Sequence, residues 1–275
     1  MPGSDFGKRD LVDLPPSSVG VPRLDRDRRL DRRPVAEECP VAMVYDGTTI
    51  AVVMATPDDL ADFAIGFSLT EGIIQSADEI EALDVVPGCD GIELRMWLST
   101  DRGRHFKQRQ RRLIGPTGCG LCGIESLSET VRALSRIVRK ISLSSYQIES
   151  AIEALSRTQK LNHLTHATHA AGFYRSDDTL AAIREDVGRH NALDKLAGAL
   201  AVESISGSSG AVVLTSRVSV EMVQKAAAIR SPILIAISAP TALAVRTAEA
   251  CGITLVAIAR GSSFEIFSHP NGISD

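Results

Sequence analysis

Residues 211–259, AVVLTSRVSVEMVQKAAAIRSPILIAISAPTALAVRTAEACGITLVAIA, alternate apolar runs with stretches of helical periodicity. Three short runs rich in β-branched residues are typical of buried strands: 211–215, 232–238 and 253–259. Between them, 218–229 and 241–250 are predicted to be helices, the second closed by Gly252. Strands that alternate with helices in this way predict a parallel sheet covered on both faces. The stretch therefore predicts a three-layer α/β/α fold.

The same alternation extends to both sides of this stretch. Further strands are predicted over 170–174, 180–185 and, at an edge, 264–267. Further helices are predicted over 125–141, 146–158 and 191–202. We therefore assign residues 114–275 to one α/β/α domain.

The first part of the chain has a different pattern. Two apolar runs within 40–55 flank Asp46-Gly47, a dipeptide typical of a hairpin turn. Thr56-Pro57-Asp58-Asp59 has the composition of a helix start with Thr56 as its cap, and the helical spacing after it ends near Gly72. Two more strands are predicted, over 80–86 and 92–98. Residues 35–113 are therefore predicted to form a small α+β domain.

Residues 1–34 alternate arginine with aspartate between prolines, and this composition cannot bury a core, so they are predicted to be a flexible N-terminal extension. The whole chain has 275 residues, 44% of them apolar, and a net charge of -4, which gives no reason to expect nucleic acid as a partner. No apolar run is long enough for a transmembrane helix and no secretory signal precedes the fold. The five cysteines are an odd number, which argues against a disulfide framework. We expect a cytoplasmic protein.

Two of the cysteines, Cys119 and Cys122, lie in a glycine-rich run, GPTGCGLCG at 115–123. Glycines uncover the sulfur atoms, and the basic run at 102–112 would lower a thiol pKa if it folds back on this loop. A CxxC pair can be a redox dithiol, half of a metal site, a sulfur relay or plain structure. A zinc site would need two more ligands, and His166 and His169 are candidates. The His-x-Glu of zinc-dependent deaminases is missing.

Three further stretches place polar residues where predicted strands meet helices. EDVGRHNALDK at 185–195 is compatible either with a functional site or with an ordinary helix start. Thr215-Ser216-Arg217 and Ser238-Ala239-Pro240-Thr241 are compatible either with phosphate binding or with simple helix caps. No Walker loop and no GxGxxG motif is present, which argues against a plain ATPase or a Rossmann dehydrogenase.

Taken together, these runs resemble the formate dehydrogenase accessory sulfurtransferase family, FdhD. The matching segments are TPDDLADFAIGFSLTEGII at 56–74, GCGLCG at 118–123, THAAG at 168–172, EDVGRHNALDK at 185–195, LTSRVSVEMV at 214–223, SAPT at 238–241 and FEIFSH at 264–269. They follow the family's order from about residue 35 onward. The resemblance implies a C-terminal domain similar to cytidine deaminases.

The resemblance also implies a sulfur carrier. Members take sulfane sulfur from a cysteine desulfurase as a persulfide and pass it to the molybdenum (or tungsten) bis-guanine-dinucleotide cofactor of formate dehydrogenase. By motif, Cys119 would carry the persulfide and Cys122 would assist or resolve it. The implied cofactor-binding residues are Phe264, Glu265, Ile266, Phe267, Ser268 and His269. Apart from this resemblance, we hypothesise that Arg217 binds a phosphate group of the cofactor. We expect no permanently bound metal.

Two other classes remain open at this stage. The chain could be a zinc- or guanine-nucleotide-binding module with structural cysteines, or a thiol-disulfide oxidoreductase that uses its CxxC pair. The sequence predicts no membrane partner, and a homodimer is compatible with it.

Overall fold

The computed structural model describes residues 13–103, 136–261 and 263–274. Its first element is an antiparallel hairpin of β1 (Ser18–Leu24) and β2 (Leu30–Ala36). The Asp25 carboxylate accepts hydrogen bonds from the backbone N–H groups of Asp27 and Arg29 in the turn. Most side chains of both strands are exposed. The charged composition of residues 1–34 predicts a flexible extension, so this hairpin was not predicted. Backbone pairing and the hydrogen bonds of the turn form it without an apolar core.

A four-stranded sheet and one helix follow. The strands are β3 (Cys39–Tyr45), β4 (Thr48–Ala55), β5 (Ile80–Gly88) and β6 (Gly91–Leu98), in the order β4-β3-β6-β5. Helix α1 (Leu60–Thr70) covers one face of this sheet through a shared apolar core. The predicted hairpin around Asp46-Gly47 and the other two predicted strands are confirmed.

The predicted helix cap at Thr56 is wrong. Helix α1 begins at Leu60, after Asp59, whose backbone lies in the left-handed region at φ 52°. Thr56 lies four residues before the helix and is fully buried. The local sequence is typical of a cap, but the contacts of Thr56 are with a distant part of the chain.

The second part of the chain is built around a six-stranded sheet. Its strands are β8 (His169–Arg175), β9 (Leu180–Asp186), β10 (Gly210–Leu214), β11 (Ile233–Ala236), β12 (Thr254–Arg260) and β13 (Ser263–Ser268). The spatial order is β13-β12-β11-β10-β8-β9. Strands β10, β11 and β12 are mutually parallel, as predicted, whereas the pairings of β8 with β10 and β9, and of β13 with β12, are antiparallel. The sheet is therefore mixed.

Helices cover both faces of this sheet. The described helices are α2 (Ser145–Thr158), α3 (Lys160–Thr165), α4 (Arg189–Val202), α5 (Val220–Ala228) and α6 (Ala242–Cys251). Helices α4, α5 and α6 share one apolar core with the sheet, and α2 shares another on the opposite face. Adjacent residues of β10 alternate between them, since Val212 belongs to the first core and Val213 to the second. This is a three-layer α/β/α arrangement; the implied similarity to cytidine deaminases stays a prediction.

One predicted helix is partly wrong. Residues 136–141, the described part of the helix expected over 125–141, are not helical. The Ile137 N–H donates instead to the Cys251 carbonyl at the end of α6. A short parallel pair, β7 (Leu143–Ser144) with β14 (Ile273–Ser274), follows and brings the C-terminus beside the start of α2.

Helices α1 and α4 join the two parts of the chain. They approach so closely that a Cβ atom added at Gly66 would lie 1.7 Å from the Asp194 carbonyl oxygen. One added at Gly198 would lie 1.9 Å from the Asp62 carbonyl oxygen. The two predicted units therefore share a packed helix pair, and their predicted boundary near residue 113 lies outside the described residues.

None of the described helices is both long enough and apolar enough to cross a membrane.

Candidate functional site

The carboxyl ends of β9, β10 and β11 lie along one edge of the six-stranded sheet, where the N-termini of α4, α5 and α6 also lie. His169, at the start of antiparallel β8, is paired with Asp186 at the end of β9, so it lies at the same edge. We call this the carboxyl edge. Three of the polar stretches identified in the sequence lie at this edge: 185–195, 215–217 and 238–241.

The first of these stretches contains a buried ion pair. Lys195 Nζ lies 2.7 Å from Asp186 Oδ2, and both side chains are fully buried. Asn191 Nδ2 donates to Asp186 Oδ1 at 3.0 Å and to the Met54 carbonyl at 2.8 Å. The Gly188 N–H also donates to Asp186 Oδ1, at 2.7 Å. Because these groups satisfy each other out of contact with water, their arrangement indicates a structural role.

Thr56 connects this ion pair to the first part of the chain. Its N–H donates to Asp186 Oδ2 at 3.0 Å, and its carbonyl accepts from Lys195 Nζ at 2.9 Å. Its hydroxyl oxygen accepts from the Val187 N–H at 3.1 Å. Three bonds therefore fix the segment before α1 against the end of β9 and the start of α4.

A second buried ion pair lies at the other end of α1. Lys225 Nζ is 2.7 Å from Asp194 Oδ1 and 3.1 Å from Glu71 Oε1. It also donates to Thr70 Oγ1 at 3.0 Å, and Thr70 Oγ1 donates to Asp194 Oδ1. Burial lowers the pKa of Lys225, but the Asp194 and Glu71 carboxylates raise it by more than burial lowers it. The net pKa is therefore raised, and the ammonium stays charged. Lys225 was not predicted as a buried residue, because a lysine on a helix is usually exposed to solvent.

Glu185 also has a structural role. Its two carboxylate oxygens accept hydrogen bonds from the N–H groups of Leu161 and Asn162, each at 2.8 Å, in the first turn of α3. It accepts a further bond from Thr168 Oγ1 at 3.2 Å. Most charged residues of the motif at 185–195 therefore have structural roles.

Arg189 and His190 are different from the other polar residues of the motif. No described residue forms a hydrogen bond with the buried Nε of Arg189 or the buried Nε2 of His190. Glu221 Oε2, on α5, lies 3.9 Å from His190 Nε2. Burial lowers the pKa of His190, and the neighbouring Arg189 guanidinium lowers it further. The same two causes, in the same order, lower the pKa of His169.

Both threonine hydroxyl groups of the other two stretches accept hydrogen bonds from backbone N–H groups. Thr215 Oγ1 accepts from the Ala170 N–H at 2.9 Å, and Thr241 Oγ1 accepts from the Ala244 N–H at 3.2 Å as the cap of α6. Arg217 is exposed, and among the described residues none forms an ion pair with it. Of the side chains in these two stretches, the guanidinium of Arg217 is therefore the clearest candidate for a ligand contact.

The segment 264–269 lies on a different part of the sheet. Residues 264–268 belong to edge strand β13, and His269 directly follows it. This strand lies three strand spacings, or about 14 Å, from β10. Ser268 is paired with Leu255 near the amino end of β12, so the segment runs away from the carboxyl edge that holds Arg217. In the structure, the predicted cofactor contacts in 264–269 and at Arg217 therefore lie apart from each other.

Most side chains of this segment have internal contacts. Phe264 packs against the core on the α2 side of the sheet, and Phe267 packs against the opposite core. Ser268 Oγ donates to the Ile253 carbonyl at 2.7 Å, and His269 Nε2 lies 2.8 Å from the Glu249 carbonyl oxygen. Glu265 and Ile266 are exposed. Only these two side chains are openly presented to a ligand.

Cys119 and Cys122 lie outside the described residues, as do residues 104–112 of the basic run. Arg102, which is described, donates to the Ile73 and Gly72 carbonyls and lies 3.4 Å from Glu79 Oε2. Within residues 13–103, 136–261 and 263–274, no three His, Cys, Asp or Glu side chains are grouped as metal ligands. The zinc alternative remains a prediction, since its two cysteines lie outside these residues.

Known proteins resemble the chain over most of its length. The sequence model of the FdhD/NarQ family matches residues 36–274. A protein from Agrobacterium fabrum named "Sulfur carrier protein FdhD" is 52% identical over 242 residues, which cover 88% of this chain and 89% of that protein. A protein of the same name from Cupriavidus necator is 48% identical over 86% of this chain and 82% of its own length.

A solved structure resembles the fold. The crystal structure of a candidate formate dehydrogenase accessory protein from Desulfotalea psychrophila superposes with a TM-score of 0.75 at 26% sequence identity. The match covers 94% of this chain and 100% of the other chain. Because the family match spans nearly the whole fold and the curated relatives are about half identical, the chain belongs to the FdhD/NarQ family.

Proposed function

We propose that this chain is a sulfur carrier that holds sulfane sulfur as a persulfide on Cys119. The donor is a cysteine desulfurase, and the acceptor is the molybdenum (or tungsten) bis-guanine-dinucleotide cofactor destined for formate dehydrogenase. The observation that carries this proposal is the name shared by relatives that are about 50% identical along most of the chain. The cofactor is a substrate here, and the proposed place of action is the cytoplasm.

The loading step is a thiol-persulfide exchange. The Cys119 thiolate attacks the outer sulfur of the desulfurase persulfide, so one S–S bond forms while another breaks. The desulfurase cysteine leaves as a thiolate, and no external oxidant or reductant is needed. In the sequence Cys119 lies between two glycines, and residues without side chains would leave its sulfur accessible to a partner protein. Cys122 is proposed to assist or resolve this step.

Incubation of the purified chain with a cysteine desulfurase and free cysteine, without reductant, is expected to add about 32 Da, one sulfur atom. Intact-mass spectrometry measures the gain, and dithiothreitol should remove it. The gain should be absent in Cys119→Ala and present in Cys89→Ala, which removes an exposed cysteine. A loss of two hydrogens in place of the gain would favour a Cys119–Cys122 redox pair, and one tightly held zinc would favour a structural site.

The guanine-dinucleotide substrate carries several phosphates, and the carboxyl edge offers cations for them. Arg217 is exposed there, close to the N-terminus of α5, where anions are stabilised. The segment 264–269 is proposed to contact the same large substrate through Glu265 and Ile266. Its distance from Arg217 requires the substrate to extend across several strands.

Arg217→Ala is expected to weaken the binding of guanosine diphosphate by about tenfold, since a charge-assisted bond to phosphate is lost. Isothermal titration measures this directly. Arg157→Ala is a matched control, because Arg157 is also exposed but lies on α2, on the opposite face of the six-stranded sheet. Unchanged affinity in Arg217→Ala would remove this residue from the proposed site.

A further inference from the structure

The hairpin of β1 and β2, residues 18–36, forms an arm on the surface of the fold. Its base is held in place, because β2 packs against α3 and the Glu37 N–H donates to the Ser17 carbonyl at 2.9 Å. Beyond this base, all residues from 20 to 33 are exposed except Asp25, which lies in the turn. A two-stranded hairpin without further packing is at best marginally stable in water. The exposed part of the arm would therefore gain stability from a packing partner.

The arm is apolar near its tip and positively charged along its length. Leu24 and Leu30 are paired across the two strands beside the turn, and they are 65% and 78% exposed. Six arginines outnumber three aspartates within the arm, which gives it a net charge of +3. Arg23 lies 3.4 Å from Asp31, whereas no described residue forms an ion pair with the other five arginines, Arg26, Arg28, Arg29, Arg32 and Arg33. The arm therefore offers apolar side chains and several cations to a partner.

The four-stranded sheet has a second face on the side away from α1. On β4, Ala51 and Val53 pack into the core that this sheet shares with α1. Because successive residues of a strand point to opposite faces, the alternate residues lie on the other side. Four large apolar residues there are exposed: Ile50, Val52 and Met54 on β4, and Trp97 on β6. We call this side the open face, and an apolar surface of this kind is typical of a binding interface.

A groove of about 330 Å³ crosses the open face. Apolar residues from three strands line it: Ala42 on β3, Val52 on β4 and Val86 on β5. The arm of the same chain does not fill this groove, since Val52 is 61% exposed and the leucines of the arm are exposed as well. The open face is therefore available to another molecule.

The net charge of the open face is opposite in sign to that of the arm. Asp90 and Glu93 line the groove, and Arg95 is the cation beside them. Arg95 Nε lies 2.7 Å from Glu93 Oε2, so these two charges neutralise each other. Asp84 lies on the same face, directly opposite Arg95 in the pairing of β5 with β6. Asp84 and Asp90 therefore leave a negative excess, which the arginines of a partner can neutralise.

We propose that the arm of one copy of this chain binds the open face of a second copy. Leu24 and Leu30 pack into the groove, and arginines of the arm pair with Asp84 and Asp90. Because each copy has one arm and one open face, a two-fold dimer forms both contacts reciprocally. Residues 18–35 of the arm precede the part of the chain that matches the family, so this contact does not follow from family membership. It is also independent of the proposed sulfur-carrier function.

Sedimentation equilibrium of the full chain measures its self-association. Leu24→Asp combined with Leu30→Asp, and separately Val52→Asp, are each expected to weaken the association by at least about tenfold, because a carboxylate replaces an apolar contact. Tyr146→Asp is the control, since Tyr146 is 71% exposed on α2, away from both the arm and the open face. Equal association in all four proteins, or an unsubstituted chain that stays monomeric at about 100 μM, would overturn the proposal.

A mixture of the two variants tests whether the arm and the open face contact each other. The double leucine variant keeps an intact open face and Val52→Asp keeps an intact arm, so one of the two reciprocal contacts can form between them. The mixture is expected to associate at least about tenfold more tightly than either variant alone. A mixture that associates no better than its components would overturn the proposal and assign the arm to a different partner.

Trp97 gives a measurement on the open face itself, because it is the only tryptophan of the chain. Strand β1 has seven residues and β6 eight, so the arm is long enough to extend along the face from the groove to Trp97. The emission of Trp97 is expected to shift to shorter wavelength as the protein concentration rises through the association range, since the indole loses contact with water. The double leucine variant should show no such shift. An emission maximum that stays constant while the unsubstituted chain associates would place the interface elsewhere and overturn the proposal.

Discussion

Lys195→Met is expected to lower the free energy of unfolding by about 3–5 kcal/mol, because it leaves the fully buried Asp186 carboxylate without its cation. Methionine keeps much of the volume of the lysine stem, so the loss is mainly electrostatic. The ammonium also donates to the Thr56 carbonyl, which would lose that bond. Urea denaturation followed by circular dichroism measures the change.

Two further variants separate charge from packing. Asp186→Asn combined with Lys195→Met removes both charges, and it should recover part of the loss because no uncompensated charge remains. Lys160→Met removes an exposed lysine and should change stability by no more than about 0.5 kcal/mol. A loss below about 1 kcal/mol in Lys195→Met would show that the pair is not required for the fold.

Gly198→Ala is expected to destabilise the protein by at least about 2 kcal/mol, although alanine favours helices by about 1 kcal/mol over glycine. The added methyl group would lie 1.9 Å from the backbone oxygen of Asp62. Backbone atoms cannot rotate away as a flexible side chain can, so α1 and α4 would have to separate. Thermal unfolding of the variant measures the cost.

Gly88→Ala is the matched substitution. The nearest atom to its added methyl group would be the Gly91 carbonyl oxygen at 3.4 Å, an ordinary contact distance. Its stability should stay within about 0.5 kcal/mol of the unsubstituted protein. If Gly198→Ala behaves as Gly88→Ala does, the close helix crossing is not essential.

The sequence predicted the six-stranded sheet well because its strands are short apolar runs bounded by turn signals. Strands β10, β11 and β12 lie within two residues of their predicted bounds, and Gly252 ends α6 with a positive φ as expected. The direction of the flanking strands was not predictable in the same way. Antiparallel β8 and β9 have the same apolar character as their parallel neighbours, and only the pairing register reveals their orientation.

Long-range polar contacts were the main source of error. Thr56 has every local feature of a helix cap, yet its partners Asp186, Val187 and Lys195 are 130 or more residues away. A lysine on a helix is usually assigned to solvent, so the burial of Lys195 and Lys225 had no local signal. For the same reason, the 185–195 motif could not be divided by sequence into its structural and unpartnered residues.

The two buried lysines hold helix α1 at both of its ends, one through the segment before it and one through its last turn. Separation of α1 from α4 and α5 would expose two ion pairs and the close helix contact at Gly66 and Gly198 at the same time. We therefore expect no low-energy intermediate in which the first part of the chain is unfolded while the six-stranded sheet and its helices stay folded. A fragment that starts at residue 136 would expose Asp186, Asp194 and both lysines to water, so we expect it to be less stable than the full chain.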